Sequence, residues 1–203
     1  MRATILDYGA GNLHSLARAL TLLGLEARVE SSVRAALDTQ LLVLPGVGAF
    51  GCAVDRLEPD REALAEAIRG GLPLIGICLG MQLFFETSEE DDTRRRRGLG
   101  LLPGCVTRLR SRRVPHIGWT PLGASEERPT ARPQERDQPM YFAHSYACRP
   151  ENLAVVSAWA THEADRFPAS IRFGRVAGVQ FHPEKSSVAG LALLDRLVSQ
   201  VTQ

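Results

Sequence analysis

The chain has 203 residues, 44% of them hydrophobic and 23% charged. That is the composition of a soluble globular domain and excludes disordered and fibrous classes. Lys and Arg number 24 against 23 Asp and Glu, a balance that calls for neither nucleic acid nor an anionic membrane as partner. The most apolar run, residues 72–85, is broken by Pro73, Gly76, Gly80 and Gln82, well short of the ~20 residues of a membrane helix. Residues 1–7 carry no apolar signal core. Cys52, Cys78, Cys105 and Cys148 form no C-x-x-C pair, so neither a disulfide framework nor a metal site is expected, and the expected location is the cytoplasm.

In chain order, residues 3–6 read as a buried strand. Leu13, Leu16, Ala17, Leu20 and Leu23 then share one face of a helix closed by Gly24. Residues 25–30 are a second strand, and Ser31 or Ser32 can cap a short helix through Leu37. Residues 41–44 form a third strand, cut off by Pro45-Gly46. Asp60 can cap a helix over 61–69, ended by Gly70-Gly71. Residues 74–77 form a fourth strand, followed at once by a helix over about 79–87. This alternation predicts an open, mostly parallel sheet with helices on both faces.

The second half changes character. Residues 106–109, 140–143, 154–159, 170–173 and 176–181 read as strands joined by turns, which predicts an antiparallel extension. Residues 126–139, rich in Pro and charge, read as an exposed loop. A final helix carries an apolar stripe of Val188, Leu191, Leu194, Leu197, Val198 and Val201. With no repeat and no dividing linker, a single domain over 1–203 is expected.

The strongest local signal is Gly76-Ile77-Cys78-Leu79-Gly80. It follows an apolar strand and opens a helix, the pattern of a nucleophile elbow with cysteine in place of serine. Such a turn lifts the sulfur to the carboxyl end of the sheet, where open α/β folds bind ligands. The helix beginning there offers free N–H groups and a positive dipole end to a thiolate. In isolation a cysteine is more often a small buried hydrophobe; the elbow argues for reactivity. A free thiol is only a few per cent ionised at neutral pH, so a basic partner is wanted.

His182 is the candidate base, in Gln180-Phe181-His182-Pro183-Glu184. Pro183 biases His182 toward extended geometry, which places the side chains of His182 and Glu184 on one side of the chain. Glu184 then orients the imidazole, completing a nucleophile, base and orienter. Alone, these residues would read as a surface His-Pro turn. A third piece, Pro45-Gly46-Val47-Gly48-Ala49-Phe50, follows a strand. Its glycines permit unusual backbone orientations, so the N–H groups of Val47 and Leu79 can form an oxyanion hole, one such donor being worth ~3–4 kcal/mol. Alone, this loop would read equally well as a turn.

Together these pieces resemble the class I, triad-type glutamine amidotransferases. Residues 76–82 are similar to that family's nucleophile motif and residues 180–184 to its His-x-Glu motif. Residues 7–15, 45–50, Pro115-His116-Ile117-Gly118-Trp119 and Phe142-Ala143-His144-Ser145-Tyr146 narrow the resemblance to glutaminase subunits of imidazole glycerol phosphate synthases. The resemblance implies a flavodoxin-like glutamine amidotransferase domain that needs no cofactor or metal. It implies hydrolysis of glutamine to glutamate and ammonia through a cysteine thioester. It implies passage of the ammonia to a (β/α)₈ cyclase subunit in a heterodimer of histidine biosynthesis, with glutaminase activity weak until the cyclase binds its nucleotide.

Carried over by position, Cys78 is nucleophile, His182 acid and base, and Glu184 orienter. Gly46, Gly48, Gln82 and Glu90 are glutamine-binding positions, with Ser145 and Tyr146 supplying backbone contacts. Glu90 also reads as a solvated acid in an acidic run. Trp119 is implied to lie at the cyclase interface, where the family's usual asparagine is replaced by Thr120. His116 and His144 read as structural or interface residues, because neither has metal-ligand spacing. The run Arg94-Arg95-Arg96-Arg97 reads as a solvated loop or a contact with an acidic surface.

Three other readings share parts of this pattern. One is a glutaminase serving anthranilate or aminodeoxychorismate synthase, against which residues 7–15, 45–50 and 115–119 argue. The others are a non-catalytic glutamine-binding regulator, against which the intact triad positions argue, and a cysteine hydrolase acting without a partner.

Overall fold

In a computed structural model, residues 1–9, 11–91, 96–124 and 138–203 are described. The predicted loop 126–139 therefore lies almost wholly outside the described residues, as do Arg94 and Arg95.

The first half builds β1 (Arg2–Leu6), α1 (Leu13–Leu22), β2 (Glu26–Glu30), α2 (Val33–Ala36), β3 (Leu41–Leu44), α3 (Phe50–Leu57), α4 (Arg61–Arg69), β4 (Leu74–Ile77) and α5 (Leu79–Gln82). Every residue of β3 and β4 is buried, as expected of strands covered on both faces. Their side chains alternate between two cores. Ile5, Leu41, Val43, Ile75 and Ile77 pack with α1, whereas Leu6, Leu42, Leu44 and Leu74 pack with α2, α3 and α4. Local chemistry sets the helix ends. The Ser32 hydroxyl accepts the Ala35 N–H at 3.4 Å at the start of α2, and Gly24, just beyond α1, takes φ +78°.

The second half adds β5 (Phe85–Ser88), β6 (Leu102–Arg108), β7 (His116–Pro121), β8 (Gly123–Ala124), β9 (Pro139–His144), β10 (Tyr146–Pro150), β11 (Val156–His162), β12 (Asp165–Phe173), β13 (Val176–Val179) and α6 (Ser187–Thr202). The main sheet runs β2-β1-β3-β4-β13-β12-β11-β8. From β2 to β13 every pair is parallel, and from β13 onward every pair is antiparallel. The smaller sheets are β10-β6-β5 and β7-β9. The α/β class and the antiparallel extension are as the sequence predicts.

Several local expectations differ. The helix expected over 79–87 stops at Gln82, and Phe85–Ser88 instead pairs with β6. Leu83, Phe84 and Phe85 are all fully buried, and such continuous burial does not suit a helix with one wet face. Helix α3, with Phe50, Ala53, Val54 and Leu57 buried, and strands β7, β8 and β10 were not anticipated. Asp60 does not cap α4 with its side chain; its carboxylate pairs with Arg34 at 3.2 Å. In α6 the buried stripe includes Leu193, and Val188 is 81% exposed. Arg96 is engaged by Asp55 and Asp91, and Arg97 by Glu86.

Among the described residues no helix is long and apolar enough to cross a membrane, and no cluster of three or more His, Cys, Asp or Glu could hold a metal.

Candidate active site

Strands β3, β4 and β13 lie side by side in the middle of the main sheet, with their carboxyl ends together. Strand β13 lies beside β4 with Val179 opposite Ile77, so the residues just beyond both strands become neighbours. This pairing brings Gln180 and His182 to Cys78.

Cys78 turns the chain from β4 into α5 with φ +50° and ψ −106°. A side-chained residue held there costs roughly 1–3 kcal/mol and persists only where its surroundings over-determine it. They do so here. The Cys78 N–H donates to Val179 at 2.7 Å, and its carbonyl accepts the N–H groups of Met81 and Gln82 at 3.1 Å. A Cβ at Gly80 would lie 2.1 Å from the Leu44 carbonyl oxygen, so only glycine lets β3 approach the elbow this closely. Helix α5 is a single turn of four residues, shorter than expected. The sulfur therefore depends on individual N–H groups more than on a macrodipole.

The loop after β3 presses on the same turn. A Cβ at Gly46 would sit 1.8 Å from the Ile77 oxygen and 2.6 Å from the Leu79 nitrogen, and Gly48 takes φ +128°. Behind the loop, the buried Tyr8 hydroxyl donates to the Pro45 carbonyl. Burial, with a smaller contribution from Cys78, pushes the Tyr8 phenol well above its ordinary range, so it remains protonated and able to donate. At the other end of the loop, the Glu90 carboxylate accepts the Phe50 N–H at 2.8 Å.

His182 follows β13 and is almost completely buried. Its N–H donates to Tyr141 at 2.8 Å, and its Nδ1 lies 2.9 Å from Glu184 Oε1. Glu184 reaches the ring through a 3-10 turn, Pro183–Lys185, and not along an extended chain. Pro183 opens that turn, a first-turn position where its missing N–H costs nothing. Nε2 is buried without a hydrogen-bond partner. Burial pulls the imidazole pKa down, but Cys78 and Glu184 outweigh it and raise it from 6.5 to about 10.

A cavity of about 290 Å³ opens beside the sulfur. Of the residues singled out in the sequence, Cys78, Val47, Gly48, Leu79, Gln82, Glu90, Ser145 and Tyr146 line it. Gly46 sits behind it against the elbow. His182 and Glu184 lie beneath the surface next to Cys78. Trp119 is apart from it, 52% exposed on β7. The lining also includes Pro115 and Ile117, just before and within strand β7, which the sequence does not show. Ala143 and His144 line it too, at the end of β9, where the sequence predicts a strand over 140–143.

His116 and His144 are buried inside the protein and bonded to each other. The Tyr146 carbonyl can only accept, so His144 Nδ1, 2.9 Å away, must donate. A neutral His144 then accepts at Nε2 from His116 Nδ1 at 3.1 Å, and His116 Nε2 accepts from the Thr120 hydroxyl at 2.9 Å. Burial first, with neighbouring histidines adding to it, lowers His116 to about 4 and His144 to about 3. The neutral forms agree with this one-way chain.

A cysteine in a strained turn thus lies beside a carboxylate-bonded histidine at the carboxyl ends of central parallel strands, where open α/β folds bind their ligands. Residues 4–199 match the family model described as glutamine amidotransferase class-I. The chain is 42% identical to imidazole glycerol phosphate synthase subunit HisH of Cutibacterium acnes, covering 100% of this chain and 98% of that protein. It is 39% identical to the HisH subunit of Pyrococcus furiosus, covering 95% and 96%. The chain belongs to the class-I glutamine amidotransferase family, among the HisH subunits of imidazole glycerol phosphate synthase. A solved glutamine amidotransferase superposes with a TM-score of 0.74 at 19% identity, covering 97% of this chain and 98% of that one, a likeness of fold.

Proposed function

We propose that this chain is the glutaminase subunit of an imidazole glycerol phosphate synthase, with Cys78, His182 and Glu184 as its catalytic triad. The observation that carries the reading is the buried, unpartnered Nε2 of His182 beside a cysteine held in a strained turn. His182 takes the thiol proton, and the sulfur attacks the side-chain amide carbon of glutamine. The N–H groups of Val47 and Leu79 receive the oxyanion. His182 returns the proton to the departing ammonia, which leaves a γ-glutamyl thioester. Water, deprotonated by His182, then releases glutamate. Glu184 holds the ring so that Nε2 faces the reacting atoms throughout. Gly46, Gly48, Gln82, Glu90 and the backbone of Ser145 and Tyr146 hold the substrate.

Ammonia released into neutral water becomes ammonium, which has no lone pair for attack. A partner must therefore receive it directly. The proposed partner is a (β/α)₈ cyclase subunit in a heterodimer, docked on the face where Ile117 is 64% and Trp119 52% exposed. The names of the relatives, each a synthase subunit, support this. The four free cysteines and the biosynthetic role support a cytoplasmic location, and the chain is proposed to act as one domain over 1–203.

The test is glutamine hydrolysis with and without the cyclase and its nucleotide, repeated with Cys78→Ala. Activity is expected to rise by about 10²–10³-fold with the liganded partner if one oxyanion donor is gained, and to vanish in Cys78→Ala. An active Cys78→Ala removes the nucleophile assignment.

A further inference from the structure

We infer that Gln180 is a further catalytic residue of this site: its side-chain N–H donates to the Cys78 sulfur and stabilises the thiolate, with Gln82 and the Tyr146 carbonyl fixing which end of the amide faces the sulfur. This deepens the proposed glutaminase reading and rests on Cys78 being the nucleophile.

The two ends of an amide side chain are similar in shape and opposite in hydrogen-bonding character. What decides their orientation is an asymmetric anchor. Here the anchor is the Tyr146 carbonyl, which can only accept. It takes a hydrogen bond from Gln82 Nε2 at 2.9 Å, which fixes the nitrogen end of Gln82. The same nitrogen has a second N–H and donates it to Gln180 Oε1 at 3.2 Å. With its oxygen so engaged, Gln180 must turn its NH₂ group to Cys78 Sγ, 3.5 Å away. Both glutamine side chains are buried, Gln180 completely, so bulk water does not compete for these positions. The Gln180 backbone N–H donates to the Ala169 carbonyl at 2.9 Å, which holds its own strand position.

The chemistry follows from what the sulfur can accept. A neutral thiol is a weak acceptor, whereas a hydrogen bond to an ionised acceptor is roughly twice as strong as a neutral one. The Gln180 contact therefore gains strength as charge appears on sulfur, which is the differential stabilisation that lowers a barrier. When the S–H bond breaks, its electron pair stays on sulfur beside Gln180 and the proton passes to His182 Nε2. In the thioester the sulfur is neutral and the contact weakens. When water attacks, the carbon–sulfur bond breaks, its electrons return to sulfur, and the Gln180 N–H receives the leaving thiolate. The amide carries no titrating proton, so it serves both steps at any working pH.

The experiment is alkylation of Cys78 by iodoacetamide in the intact chain. The modified peptide is quantified by mass spectrometry to separate it from Cys52, Cys105 and Cys148, and wild type is compared with Gln180→Met. The expected result is a Cys78 alkylation rate about tenfold lower in the variant at pH 7. Equal rates at pH 7 overturn the inference. A deficit with no loss of the thiolate's ultraviolet absorbance at pH 7 also overturns it, because that would be a change of access. Should Gln180→Met fail to fold, the unmutated protein supplies the answer. The Gln180 side-chain amide proton resonances must move when Cys78 is alkylated, and unmoved resonances overturn the inference. The assay uses neither glutamine nor the partner subunit, so its failure leaves the glutaminase reading standing. A fully active Cys78→Ala enzyme removes that reading and this one with it.

Discussion

The hydroxyl of Ser186 holds the backbone of His182 from behind, donating to its carbonyl oxygen at 2.6 Å. The same oxygen of Ser186 accepts the Tyr141 N–H at 3.0 Å. His182, at the end of β13, is thus stapled to β9 from two sides, because its own N–H already donates to Tyr141. Ser186→Ala leaves the part-buried Tyr141 N–H without its acceptor, while the His182 carbonyl keeps the Lys185 N–H at 3.0 Å, a loss of about 1–3 kcal/mol. The cavity wall is untouched. The expected outcome is a turnover several-fold to tenfold lower with little change in KM for glutamine, and a lower urea midpoint. A raised KM with unchanged turnover would mean that Ser186 supports binding instead.

Alkaline pH should weaken the fold through His182 and its neighbours Cys78 and Glu184. Burial disfavours the charged imidazole, but Cys78 and Glu184 raise His182 from 6.5 to about 10. A raised pKa means that the folded state holds the proton more tightly than the unfolded chain. The stability so contributed is fully present below about 6.5 and is lost as pH rises through about 10. The urea midpoint of the wild type should fall across that window, and Glu184→Gln should show a smaller fall. Parallel curves for the two proteins would contradict this.

Acid should act through the other histidines. His116 and His144 are lowered to about 4 and about 3, chiefly by burial, so the unfolded chain takes up protons first as pH drops below 6.5. Stability is then lost progressively from pH 6.5 toward about 4. Replacing His144 with Gln removes one of these uptake sites and should flatten the acid limb of a urea-midpoint profile. An unchanged slope between those pH values would show that His144 already titrates normally.

Gly46→Ala tests how closely the loop and the elbow are packed. The added Cβ would meet the Ile77 oxygen at 1.8 Å and the Leu79 nitrogen at 2.6 Å, both backbone atoms, so one of the two turns must move. Overpacking of this kind costs ~1–3 kcal/mol or more, which for a chain of this length lowers Tm by at least about 2–4 °C per kcal/mol. Glutaminase activity should fall by more than tenfold, because the Val47 and Leu79 N–H groups lose their relative placement. Near-native melting and activity would disprove the contact.

Much of the architecture was legible because local chemistry carried it. Strands β3 and β4 read directly as short apolar runs, since both of their faces are buried. Gly24 and Ser32 marked helix boundaries through backbone conformation and capping. Reading failed where burial overrode periodicity. Leu83, Phe84 and Phe85 continue the apolar pattern after the elbow, yet they leave the helix because a second small sheet takes up the chain. Gln180 was visible only as part of a motif. Nothing in its neighbours along the chain shows that an amide two positions before the histidine will meet a sulfur 102 residues away.

The order of amino acids by itself determined the α/β class, the elbow cysteine and the His-Pro-Glu segment, because glycine spacing, apolar runs and proline act within a few residues of where they stand. Only the tertiary structure decided which groups meet. Pairing of β4 with β13 set Gln180 and His182 against Cys78, and antiparallel pairing of β7 with β9 buried His116 against His144. Those contacts depend on strand order and register, which are settled by burying both faces of one sheet at once and have no signature in any short stretch of chain.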